Sequence, residues 1–285
     1  MNIFKLEIKR AFNNKWFVIA SLLAISCVIY NKYLVYDRIM DSKKMMEEWG
    51  HTNVYDEFIK FNFYSYWLIQ TLEMGTLYLI YFIGLFVSLP YGASYYWDKK
   101  SGIVKSICTR IDKRKYLKSK YLAVFISGGV CAMLPVIVDF FMAKLWVPVD
   151  FPYPETIDVF PFTEWHVFVI DNPYLSALIY VFAWFVFGGA VATISLFIST
   201  ISDNFFTIQL TPFMLILLMY YIPNLHNEKL FNWVPLYFLT LFQTTNPGYC
   251  VIFSVIIMSI TYFGFYNIEI RKEEFAKTTT NKIKR

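Results

Sequence analysis

The chain has 285 residues, 57% of them hydrophobic and 16% charged, with a net charge of +5. That is too apolar for a water-soluble domain of this length, and it points to a protein that lives in lipid. The basic residues sit beside apolar runs, so the positive charge reads as membrane topology and not as nucleic-acid binding.

The polypeptide starts with a basic amphipathic segment, Asn2–Asn14. Phe4, Ile8 and Phe12 recur every four residues, with Ile3 and Ala11 flanking them, and Lys5, Lys9 and Arg10 lie largely off that stripe. Such a helix suits the inner membrane surface. Six long apolar runs follow, at 16–36, 66–91, 121–146, 174–200, 205–222 and 249–268. A helix needs roughly 20 residues to cross the hydrocarbon core, and helix is the form that satisfies its backbone there. The expected architecture is therefore an all-α, polytopic membrane protein with six spans in one domain, 1–285. The first run is too long for a signal-peptide core and is expected to be retained.

Charge in the links sets the orientation. Lys and Arg crowd the N-terminus, the 92–120 link and the C-terminus, whereas the 37–66 and 147–173 links are acidic. The positive-inside bias puts both termini and the 92–120 link in the cytoplasm. The shortest connection, Ser199–Asn204, joins spans four and five.

The 92–120 link has internal structure. Ile103, Val104, Ile107, Cys108 and Ile111 share one helix face. Asp112 can then cap a second helix that starts near Lys113 and runs into span three. The last outer link contains Leu230–Phe242, an apolar stretch broken by Pro235 and bracketed by Pro223 and Pro247. It is too short to span and reads as a re-entrant or interfacial element before span six.

Chemistry-bearing residues are sparse. His51, His166 and His226 lie in outer links, no phosphate-cradling GxxxxGK[ST] occurs, and the cysteines Cys27, Cys108, Cys131 and Cys250 form no metal-type pair. No catalytic, cofactor or metal site is expected. Gly128-Gly129 and Gly188-Gly189 read as close-packing points between helices. Glu73, Asp139 and Lys144 are the ionisable residues expected inside spans; charge there is costly and marks either a transport route or a buried structural pair.

The segment SYYWDKKSGIVKSICTRIDKRKYLKSK, Ser94–Lys120, resembles the cytoplasmic loop of ABC-2-type permeases, the membrane subunits of one class of ATP-driven transporters. Asp98 stands near that loop's acidic position, Gly102 at its glycine, Arg114 at the arginine after the turn and Lys120 at its closing lysine. Asp98 replaces the usual Glu, and Ile111-Asp112 replaces the common Pro-Val-Ser turn. The resemblance implies a coupling helix that docks in a groove of a separate ATPase. Gly102, Ile103, Val104, Ile107 and Cys108 would form the docking face, with Arg110, Lys113 and Arg114 around it. It further implies two ATPase copies carrying ATP and Mg, a second permease chain (identical or a paralogue), and residence in a bacterial cytoplasmic membrane among its lipids. Export is the implied activity. The cargo most in keeping with the long outer loops and many aromatics is a peptide, antimicrobial or other amphipathic compound, in transport or resistance. The alternatives are a membrane anchor or sensor that docks a cytoplasmic partner through the same loop, and an intramembrane enzyme.

Overall fold

The computed structural model describes residues 3–48, 73–146, 171–226 and 248–283, together with Trp67, Phe168 and Leu239. Every regular element among them is an α-helix. In chain order these are α1 (Ile3–Phe12), α2 (Lys15–Glu48), α3 (Met74–Ser88), α4 (Ser94–Lys100), α5 (Ile103–Cys108), α6 (Lys113–Trp146), α7 (Pro173–Ile198), α8 (Phe205–His226) and α9 (Gly248–Ile283).

Four helices contain stretches long and apolar enough to cross a membrane: Lys15–Arg38, Lys113–Leu145, Tyr174–Ile198 and Gly248–Lys272. Met74–Ser88 and Phe205–Tyr221 are shorter apolar helices. Large apolar side chains such as Leu22, Leu178, Phe206 and Ile260 stand exposed on the outside of the bundle, as lipid-facing positions do. This is a membrane-embedded protein whose regular structure, over the described residues, is all helical.

The run at 66–91 is not one helix. Residues 68–72 lie outside the described part, and the helix stops at Ser88 before α4 resumes at Ser94. Pro90 explains the break. It has no N–H to give to the carbonyl of Phe86, and the Cys131 thiol occupies that carbonyl instead, at 3.5 Å. The stretch 230–242, read as re-entrant, lies outside the described residues apart from Leu239.

Local capping fixes the turns. Asn14 Oδ1 accepts the N–H of Trp16 and its amide donates to the Pro90 carbonyl, so one residue caps α2 and ties down the α3–α4 break. Asp112 accepts the N–H of Arg114 and starts α6. Asn204 accepts the N–H of Phe206 and starts α8.

The tightest seam joins α6 to α7. A Cβ added at Gly128 would meet Ala192 Cβ at 2.3 Å, and one at Gly188 would meet Ala132 Cβ at 2.2 Å. Gly129 and Gly189 lie against Phe185 and Phe125. Small residues four apart on facing helices let the backbones approach, which is how packing replaces the hydrophobic effect in lipid. Gly84 does the same for α3 against the Pro212 backbone of α8.

Contacts gather particular ends together. The starts of α2, α6 and α8 and the ends of α3, α4 and α7 lie at one end of the bundle, with Glu269 and Lys272 of α9. The helices thus run alternately away from this end and back to it.

Candidate functional site

That shared end holds a buried cluster of charge built from three elements. Glu7 and Arg10 come from α1, Tyr91 and Asp98 from the α3–α4 region, and Tyr116 and Lys120 from the first turns of α6. Lys120 Nζ lies 2.5 Å from Asp98 Oδ2 and 2.9 Å from Glu7 Oε2. Arg10 grips Asp98 with two nitrogens, at 2.6 and 3.2 Å, and Glu7 with one, at 3.0 Å. Tyr116 donates to Asp98 at 2.8 Å and Tyr91 to Glu7 at 2.7 Å. The Lys120 ammonium also sits 4.4 Å from the centre of the Tyr91 ring.

Two carboxylates and two cations cancel, and every carboxylate oxygen has a donor. Those are the conditions under which buried charge is tolerated. Burial would push the Asp98 carboxyl up, but Lys120 and Arg10 outweigh it and hold Asp98 below the usual carboxylate range. Burial and the neighbouring Glu7 carboxylate both push the Tyr91 phenol up, so it remains a donor.

A second set of ties surrounds the first. Lys113 Nζ donates to the Glu269 carbonyl at 2.7 Å and lies 3.5 Å from its carboxylate. Lys99 reaches the Ser199 carbonyl and Lys272 the Thr200 carbonyl. The segment from α4 to the start of α6 is thereby fastened to α1, α7 and α9.

Between these ties runs α5. Val104, Ile107 and Cys108, with Ile111, are half-buried and pack against the core. Ile103 is 38% exposed, and Lys105, Ser106, Arg110 and Arg114 face outward. Gly102, at φ 75°, makes the left-handed turn into α5 with open space around it. The residues expected to form one docking face therefore divide: Ile103, Arg110 and Arg114 lie outside, Val104, Ile107 and Cys108 lean on the bundle, and Lys113 is bound to Glu269.

The charged residues expected inside spans do not meet one another. Asp139 is fully buried on α6 and pairs with Lys32 of α2 at 2.9 Å. Beside it, the Asn31 side-chain oxygen accepts from the hydroxyl of Thr76 at 3.1 Å. Glu73 is the N-cap of α3, outside the helix, and its carboxylate pairs with Arg38. A carboxylate at a helix start is favoured by the unpaired N–H groups there. Lys144 meets Tyr174, hydroxyl and ring face together.

Sequence reading missed Glu7, Tyr91, Tyr116 and Lys32. Glu7 carried a signal: it lies on the Ile3–Ala11 side of α1, four residues from each, and that is the side the fold buries. Lys32 carried a weaker one, as a lone cation inside the first apolar run.

Among the described residues no cluster of His, Cys, Asp or Glu could hold a metal ion. His51 and His166 lie outside those residues. No family model, no curated protein and no solved structure matches the chain.

Proposed function

We propose that this chain is the permease subunit of an ABC exporter, in which α5 is the coupling helix for a separate ATPase. One observation carries the reading. A short helix projects a partly apolar, basic outer side while its inner side and both flanks are fastened to the bundle. Force on such a handle reaches α1, α6, α7 and α9 through packed side chains and ion pairs, and coupling of this kind needs a rigid element between two states.

The resemblance of Ser94–Lys120 supports the same reading, and its acidic and closing-lysine positions have a physical link. Asp98 and Lys120, 22 residues apart, are direct partners here. The alternating helices also fit six crossings with both termini in the cytoplasm, α3 and α8 included, in a bacterial cytoplasmic membrane. Cargo of peptide or amphipathic character, a permease dimer and two ATPase copies carrying ATP and Mg complete the proposal. This chain would supply the translocation route and no catalytic group.

The test is to purify the tagged full-length chain from its native membrane in mild detergent and identify what accompanies it by mass spectrometry. A stoichiometric ATP-binding subunit is the expected result. The Ile103→Asp/Arg110→Glu variant should lose that subunit while remaining folded. Recovery of the chain alone, where a control transporter complex survives, would favour an anchor or sensor. Ile107→Asp is the poorer probe, because Ile107 also packs on the core.

A further inference from the structure

Beside the ion cluster, the elbow between α1 and α2 leaves an open cavity of about 740 Å³. Its apolar wall includes Leu6, Trp16, Leu89, Trp97 and Phe205, and its polar lining includes Lys9, Arg10, Ser94, Asp98 and Gln209. Three independent features describe what it would take.

The first is charge. Arg10 and Lys120 are balanced by Asp98 and Glu7, and the Asp98 oxygens are already engaged by Arg10, Lys120 and Tyr116. Lys9 is exposed, with no carboxylate partner among the described residues. The lining therefore carries one net positive charge, and Arg10 remains 35% exposed beside Lys9. The second feature is unmet hydrogen bonding. Gln209 is only 5% exposed, yet its side-chain oxygen has no partner, nor does the Ser94 hydroxyl. Buried acceptors of this kind call for a donor. The third is position. The apolar stretch of α2 starts at Lys15, and Trp16 and Trp97 stand half-exposed nearby, which marks the membrane–water interface. From there the exposed apolar side chains of Val18, Phe206 and Leu210 lead into the lipid-facing surface.

We propose that this cavity binds one anionic phospholipid with a hydroxyl-bearing headgroup, of which phosphatidylglycerol is the simplest. The phosphate lies against Lys9 and Arg10, the headgroup hydroxyls donate to Gln209 and Ser94 once those shielded side chains turn toward the cavity, and the acyl chains leave along α2 and α8. The lipid fastens the α1–α2 elbow to α4 and α8. The proposal does not rest on the transporter reading.

The test uses the full-length chain in detergent and native mass spectrometry. Phosphatidylglycerol is titrated in, with phosphatidylethanolamine and phosphatidylcholine of the same chains for comparison and glycerol 1-phosphate as soluble competitor. One phosphatidylglycerol per chain should persist through delipidation. Lys9→Gln should weaken it about fivefold, the effect of one interfacial cation. Gln209→Leu should weaken it by a similar factor of about five, the effect of one hydrogen bond. Lys9 is exposed, so the first variant reports even where the second fails to fold. Equal retention of all three lipids, or of phosphatidylglycerol by wild type and Lys9→Gln alike, would overturn the site. Displacement by glycerol 1-phosphate would assign it to a free phosphate ester and overturn the lipid.

Discussion

At the scale of single residues, Lys120 carries the charged end of the bundle. Removing its ammonium in Lys120→Met leaves Glu7 and Asp98 buried with Arg10 as their one remaining cation. Breaking a buried pair from one side costs about 3–5 kcal/mol. The variant's unfolding temperature in detergent should fall sharply, and adding Glu7→Gln should restore part of it. The same cluster sets a pH response. Asp98 is held below the usual carboxylate value, so its folded pKa lies under its unfolded one. Its contribution to stability is complete above about pH 4 and is lost as pH falls through the depressed value. Unfolding temperatures measured from pH 7 downward should drop below about pH 4, and Asp98→Asn should lose that part of the drop. Lys32 and Asp139 invite a different experiment, because both a transport role and a structural pair predict damage from either single change. Lys32→Met and Asp139→Leu should each reduce folded yield, and the double variant should recover most of it. Recovery of both folding and export would make the pair structural. Recovery of folding without export would place Asp139 on the route.

At the scale of helices, the α6–α7 seam leaves no room for a methyl group. Gly188→Ala would set its Cβ against Ala132, and overpacking of this kind costs about 1–3 kcal/mol. Gly102 is the contrasting case, with open space but a left-handed backbone. Gly102→Ala should cost about 1–2 kcal/mol, and Gly102→Asn less, since Asn tolerates that conformation. Thermal unfolding of the three variants should show the difference. Elements of this sort were legible in the sequence because their signals are local: apolar length for α2, α6, α7 and α9, paired small residues for the seam, and Asp112 for the cap of α6. The α3 break was not, although Pro90 was visible, because the partner that takes the freed Phe86 carbonyl is Cys131, on another helix. Partner identities escaped for the same reason. Asp139 stands out in the sequence as a charge in lipid, but its pairing with Lys32 depends on how α2 lies against α6. Glu7 escaped because an amphipathic reading scores hydrophobicity, and the face that α1 buries holds an acid.

At the scale of the whole molecule, one end is locked by the Glu7, Arg10, Asp98 and Lys120 cluster, with the separate pairs Lys32–Asp139 and Arg38–Glu73 further along the helices, and which links share the N-terminal side follows from how many helices cross. If α3 and α8 cross along with the four longer helices, residues 106 and 203 lie on the N-terminal side and residue 171 lies opposite. If only the four longer helices crossed, 106 and 203 would move to the far side and 171 would join the N-terminus, and the ion pairs of α1 with Asp98 and Lys120 could not form. Ser106, Asp203 and Asp171 are all exposed, so a cysteine at each would be accessible. In a Cys108→Ser background, a membrane-impermeant thiol reagent applied to intact cells should label Asp171→Cys, and should reach Ser106→Cys and Asp203→Cys only after permeabilisation. The positive-inside rule demands this pattern, because Lys99 to Lys120 would otherwise have to cross with many basic residues and few acids to offset them. The inverted pattern would place α5 outside the cell, away from any ATPase, and the coupling role would fall with it.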